Sequence, residues 1–112
     1  MRILIAAIGK LKDDAERGII ARYVKRADAQ GRALGLGPIE IIEFPESRDA
    51  SVDARKTGEA LRLLKATSAA TYKIALDVEG KHITSEAFAA LLGTQADAGT
   101  KTCALLDRKS VV

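Results

Sequence analysis

Short apolar runs without alternation, each followed by a stretch of helical periodicity, constrain this chain more than any other feature. Met1–Ile8 is apolar except for Arg2. Such a run suits a strand buried on both faces of a parallel sheet; a strand with one wet face would alternate. Leu11 to Ala33 reads as a helix, with Leu11, Ala15, Ile19 and Tyr23 four apart, flanked by Ile20, Val24 and Ala27. Gly35-Leu36-Gly37-Pro38 stops it, since Gly offers a left-handed cap and Pro cannot continue a helix.

The same unit recurs twice. Ile39–Phe44 is a second strand, closed by Pro45, and Ser51 to Thr67 a second helix with Val52, Leu61, Leu63 and Leu64 as its apolar residues. Gly58 inside that helix costs about 1 kcal/mol relative to Ala. Tyr72–Val78 is a third strand with a Glu79-Gly80-Lys81 turn. Thr84 or Ser85 caps a third helix over 85–98, which carries Phe88, Leu91 and Leu92 and ends at Gly99. Thr102–Leu106 starts a fourth strand. Strands alternating with helices predict an α/β fold with parallel pairing and right-handed crossovers. Ligands of such sheets bind beyond the carboxyl ends of the strands. Those ends are Gly9-Lys10, Pro45-Glu46 and Leu76–Lys81.

Composition narrows the function classes. The 112 residues contain one cysteine, so an internal disulfide and a Cys-rich metal site are excluded. A net charge of +3 permits a nucleic-acid partner without demanding one. No segment is long enough to span a membrane, and the expectation is a soluble, cytoplasmic protein. Gly9-Lys10 lacks the rest of a phosphate-binding loop, and the Rossmann glycine pattern is absent. Gly9 is expected simply to make the strand-to-helix turn. His82, the only histidine, has no nucleophile or second ligand near it in the sequence and reads as a solvated loop residue. Cys103 reads as a small buried side chain. Arg55, Lys56, Arg62 and Lys65 make the second helix basic, diluted by Asp53 and Glu59. The segment Leu76-Asp-Val-Glu-Gly-Lys81 places a carboxylate, a flexible glycine and a cation where this sheet class holds ligands.

Five segments, in this order and spacing, carry a resemblance: Met1–Lys12, Ala21-Arg-Tyr-Val-Lys-Arg26, Ile41-Ile-Glu-Phe-Pro-Glu46, Ala75-Leu-Asp-Val-Glu-Gly-Lys81 and Ser85-Glu-Ala-Phe-Ala89. Over residues 1–106 the chain resembles the ribosomal large subunit methyltransferase H family, of the SPOUT class. The resemblance implies a trefoil-knotted α/β fold using S-adenosylmethionine as methyl donor. It also implies methylation of N3 of a pseudouridine in 23S rRNA, on assembled ribosomes, by a homodimer without a metal. Leu76 matches the family's leucine on the donor, and Asp77 to Gly80 form its loop, so Leu76, Asp77 and Gly80 are the expected donor-binding residues. No catalytic residue carries over.

The family pattern continues with an Ile-Gly-Gly loop where this chain has Asp107-Arg-Lys-Ser-Val-Val112. Residues 1–106 are therefore expected to be the N-terminal part of a single SPOUT domain, truncated before the knot. Residues 107–112 are expected to be a non-native tail, one translation of a sequencing adapter; a genuine truncation is the other reading. As written, the chain is expected to be inactive. The apolar faces of the third helix (Phe88, Leu91, Leu92) and of the fourth strand (Cys103, Leu105, Leu106) are expected to lack packing partners, and the fourth strand, if it lies at an edge, to offer unpaired backbone groups. The alternative function is a non-catalytic α/β module that docks on RNA or the ribosome through its basic helices.

Overall fold

The computed structural model describes residues 1–108. Seven elements alternate: β1 (Arg2–Ile8), α1 (Asp14–Leu34), β2 (Ile39–Phe44), α2 (Val52–Ala66), β3 (Tyr72–Leu76), α3 (Ser85–Asp97) and β4 (Thr102–Arg108). The four strands form one parallel sheet in the order β2-β1-β4-β3. This is the expected α/β class. The fourth strand departs from expectation. It lies between β1 and β3, so the edges are β2 and β3. Its Cys103 and Ala104 are fully buried and Leu106 nearly so. A strand paired on both sides has no free ladder, which removes the expected exposed edge.

The strand order decides where the helices go. The steps β1→β2 and β3→β4 run one way across the sheet, and β2→β3 runs the other. Right-handed crossovers then put α1 and α3 over one face and α2 over the other. On the α2 face Ala6, Ile8 and Leu106 pack with Leu63, and Phe44 joins them. On the opposite face Ile5 and Ala7 of β1 stay half-buried.

Local chemistry sets the boundaries. Helix α1 starts at Asp14 and not at Leu11, because the Asp13 carboxylate accepts from the Ala15 N–H as an N-cap. Gly35 ends it in the left-handed region with φ 71°. Thr84 caps α3, its hydroxyl accepting from the Ala87 N–H. Strand β3 ends at Leu76, two residues early. The Asp77 side chain accepts from the Glu79 N–H and its carbonyl from the Gly80 N–H, so the chain turns there.

The apolar residues read from the sequence are redistributed. Ile19 and Tyr23 of the four-apart stripe are exposed, as are Leu61 and Leu64 of α2. Leu63 alone of the four apolar α2 residues enters the core, and beside it on the inner face is Glu59. The glutamate taken as diluting a basic face is thus wholly buried.

Candidate functional site

Two clefts lie at the carboxyl edge of the sheet and another opens between α1 and the sheet face. Beyond β3 and β4 lies one of about 630 Å³, walled by Ile74, Leu76, Val78, Ile83 and Phe88, with Asp77, Gly80, Lys81 and Asp107 at its polar margin. The three residues singled out from the sequence, Leu76, Asp77 and Gly80, therefore share one cavity. Leu76 is 48% exposed, so an apolar wall faces open space where β3 ends. The size suits a nucleoside-sized ligand, and an apolar wall beside exposed turn backbone suits a ring with polar substituents.

Gly80 has a role other than the one read from the sequence. Its φ lies outside the left-handed region, so the turn makes no demand for positive φ. A Cβ there would instead sit 3.0 Å from the Asp77 carbonyl oxygen, a tight contact that the turn backbone must shift by a few tenths of an ångström to admit. Glycine here eases the close approach of backbone to backbone. Gly9, by contrast, has φ 102° and makes the turn out of β1.

A second cleft, apolar and about 550 Å³, separates α1 from the sheet. Ile20 and Val24 face Ile5, Ala7 and Ile41 across it, and Glu43 and Asp107 lie in its wall. A third, polar and about 630 Å³, lies between the loops that leave β1 and β2. His82 is exposed and lines none of the three. Cys103 is fully buried, and burial pushes its thiol pKa up. Among the described residues no three His, Cys, Asp or Glu side chains converge as a metal site would need, and no helix is long and apolar enough to cross a membrane.

Two carboxylates organise this edge; the sequence reading gave Glu43 no role and placed Glu59 on a solvated face. Glu43 accepts from the Leu11 N–H at 2.8 Å and from Arg17 Nη1 at 3.1 Å. The Leu11 hydrogen bond, aided by the charges of Arg17 and Lys10, holds its pKa below the ordinary value against the opposing effect of burial. Glu59, at 0% exposure, accepts from the Ser47 N–H at 2.8 Å and faces Arg108 Nη1 at 3.3 Å. Glu43 fixes the loop after β1, and Glu59 fixes the loop after β2. A signal for Glu59 was present: Val52, Glu59, Leu63 and Ala66 fall on one helical face. Glu43 sits in a strand otherwise rich in Ile and Phe.

Comparison with known proteins agrees with this architecture. Residues 1–106 match the family described as "Predicted SPOUT methyltransferase". The chain is 42% identical over 106 residues to the ribosomal RNA large subunit methyltransferase H of Xanthobacter autotrophicus, spanning 95% of this chain and 66% of that protein. It is 42% identical over 101 residues to the protein of that name from Rhizobium etli, covering 90% and 63%. The Methylocella silvestris protein of the same name is 37% identical over 105 residues, covering 94% and 66%. The chain thus spans somewhat less than two thirds of the length of these relatives. With the match covering nearly the whole chain and the parallel α/β sheet in place, this chain belongs to the SPOUT methyltransferase family.

Proposed function

We propose that the chain is the N-terminal part of an enzyme that transfers a methyl group from S-adenosylmethionine to N3 of a pseudouridine in 23S rRNA. In this reading it acts in the cytoplasm, on the assembled ribosome, as a homodimer. The observation that carries the reading is the convergence of Leu76, Asp77 and Gly80 on one cleft at the carboxyl edge of the sheet, in a chain of this family.

When bound, the donor supplies an electrophilic methyl group. The work of this chain is placement: Leu76 gives the apolar wall, and the Asp77–Gly80 turn brings backbone groups close to the ligand. The contribution to rate is then mainly proximity and orientation. No residue among 1–108 is assigned to the acceptor base.

Calorimetry with S-adenosylmethionine tests the site, using the protein at the full length of its relatives. Leu76→Asp puts a charge on the apolar wall and is expected to weaken donor binding by about 1–3 kcal/mol, roughly 5- to 150-fold. Gly80→Val forces the Asp77 carbonyl aside and is expected to weaken it too. Unchanged affinity in both variants, with near-UV circular dichroism intact, removes this segment from the donor site. Labelled donor and unmethylated ribosomes test the reaction: incorporation into large-subunit rRNA is expected from the longer protein and not from the 112 residues alone.

A further inference from the structure

The polar cleft between the loops leaving β1 and β2 shares no lining residue with the cleft that holds Leu76, Asp77 and Gly80. Lys10 and Lys12 stand on one wall and Arg48 on the other. All three are exposed, and among the described residues none of them makes an ion pair. Three carboxylates line the cleft too, Asp13, Glu16 and Glu46, matching the three cations in number, and two of them sit at the start of α1. Asp13 caps α1, and Glu16 lies in its first turn, where the helix's partial positive charge offsets a negative one. Glu46 is the remaining acid on the cleft.

Both walls are held from beneath. The Gly9 N–H donates to the Phe44 carbonyl at 2.7 Å, and Arg17 Nε donates to the Leu11 carbonyl at 2.8 Å, beside the Glu43 bond already described. The facing loop is held at alternate residues by one helix. Arg62 donates to the Pro45 carbonyl at 3.2 Å, Glu59 accepts from Ser47, and Arg55 donates to the Asp49 carbonyl at 2.9 Å. A surface loop fixed this way loses little conformational freedom on binding a partner. The desolvation cost of the buried Glu59 carboxylate is offset by its bonds to the Ser47 N–H and to Arg108.

We propose that this cleft docks the phosphodiester backbone of a single-stranded RNA segment, with Lys10, Lys12 and Arg48 neutralising its phosphates. The inference rests on reading the protein as an rRNA-modifying enzyme, and deepens it by naming where the substrate strand runs. The placement fits. Strands β2, β1, β4 and β3 are successive neighbours, so the cleft lies on the same carboxyl edge as the donor cleft, two strands away. A strand that presents one base beside β3 and β4 can continue over β1 and β2.

The test is fluorescence anisotropy of the 112-residue chain with a labelled oligouridylate of about ten nucleotides, across a series of KCl concentrations. Replacing Lys10, Lys12 and Arg48 together by Ala is expected to weaken binding and to lower the slope of log affinity against log salt by about 2. Replacing Arg22, Lys25 and Arg26 on α1, an equal loss of charge elsewhere, is expected to lower it by less than about 1. Arg in place of Lys10 and Lys12 is expected to keep the slope. Circular dichroism confirms that the variants are folded. Equal losses in the two Ala triples, or no binding by the unaltered chain, overturn the proposal. So does displacement of the oligonucleotide by inorganic phosphate at matched ionic strength, which would mark a small-anion site. Donor calorimetry is independent of all these readouts, so failure of the methyltransferase reading would show there and not here.

Discussion

The two faces of the sheet are built from the same four strands and are closed to different degrees. Under α2, Ala6, Ile8, Leu63 and Leu106 form a small buried cluster with Phe44, and the buried polar residue of the same helix, Glu59, has both oxygens engaged. Under α1 and α3, β1 offers Ile5 and Ala7 half-buried, a 550 Å³ apolar cleft opens beside them, and α3 buries no residue fully. The total exposed surface is 8074 Å², against about 5,900 Å² for a compact monomer of 11.9 kDa. The difference teaches where stability is concentrated. A loosely covered face contributes less burial per residue, so the α2 face carries most of the core.

Truncating one leucine on each side of α2 gives the largest expected contrast. Leu63 is 6% exposed and Leu61 is 62% exposed. Leu63→Ala is expected to cost about 2–5 kcal/mol, through lost burial and the cavity left behind. Leu61→Ala is expected to change stability by less than about 0.5 kcal/mol. Urea unfolding of both variants measures this. Similar losses would show that α2 is not the closed side. Against a total of about 5–15 kcal/mol for a typical domain, the Leu63 change alone can abolish cooperative unfolding.

A glycine pair sharpens the picture of the open face. Gly31, near the end of α1, is buried, and a Cβ there would run into the Leu36 carbonyl oxygen, part of the backbone that closes the helix end. Gly31→Ala is expected to destabilise by about 1–3 kcal/mol. Gly93 lies within α3, and a Cβ there would meet nothing within 4 Å. Gly93→Ala is expected to stabilise by about 0.4–1 kcal/mol by restricting the unfolded chain. Thermal unfolding of the two variants should shift in opposite directions. A destabilised Gly93→Ala would mean that α3 is packed more tightly than its exposure indicates.

Much of this was legible in the residues, and the parts that were not share a cause. The ends of β1 and β2 follow from apolar runs bounded by Gly9 and Pro45, and the end of α1 from Gly35. These are local signals. The start of α1 and the end of β3 were misplaced because Asp13 and Asp77 turn their own backbones, a competition that apolar periodicity does not register. The insertion of β4 between β1 and β3 rests on two sets of pairings, Tyr72 with Cys103 on one side and Arg2 with Thr102 on the other, which only the crossovers of a parallel sheet bring together, and no local pattern encodes it. The site divides the same way. Leu76, Asp77 and Gly80 share one cleft because they adjoin in sequence at a strand end. Glu59 meets Ser47 and Arg108 only through the fold.

The smallest expected effect concerns the loop that borders the open face. The Leu11 N–H, then Arg17 and Lys10, stabilise the charged form of Glu43 and depress its pKa in the folded state. A carboxylate with a depressed folded pKa contributes stability that is fully present above its unfolded value, about 4.3. That contribution is lost as pH falls through the folded pKa, because the unfolded chain then binds the proton more readily than the folded one. Between neutral pH and about pH 5 the term should be constant, and below that it should fade. Glu43→Gln removes the titrating group while leaving an amide oxygen that can still accept from Leu11. The variant is therefore expected to be less stable than the parent near pH 7, and the two should converge as the solution is acidified. Urea midpoints taken at successive pH values measure that convergence. A constant difference down to the acid limb would mean that Glu43 holds the loop by hydrogen bonding alone and that its charge contributes nothing. The first loop of the proposed RNA cleft would then be fixed by geometry rather than by charge, and Arg17→Gln should leave it in place.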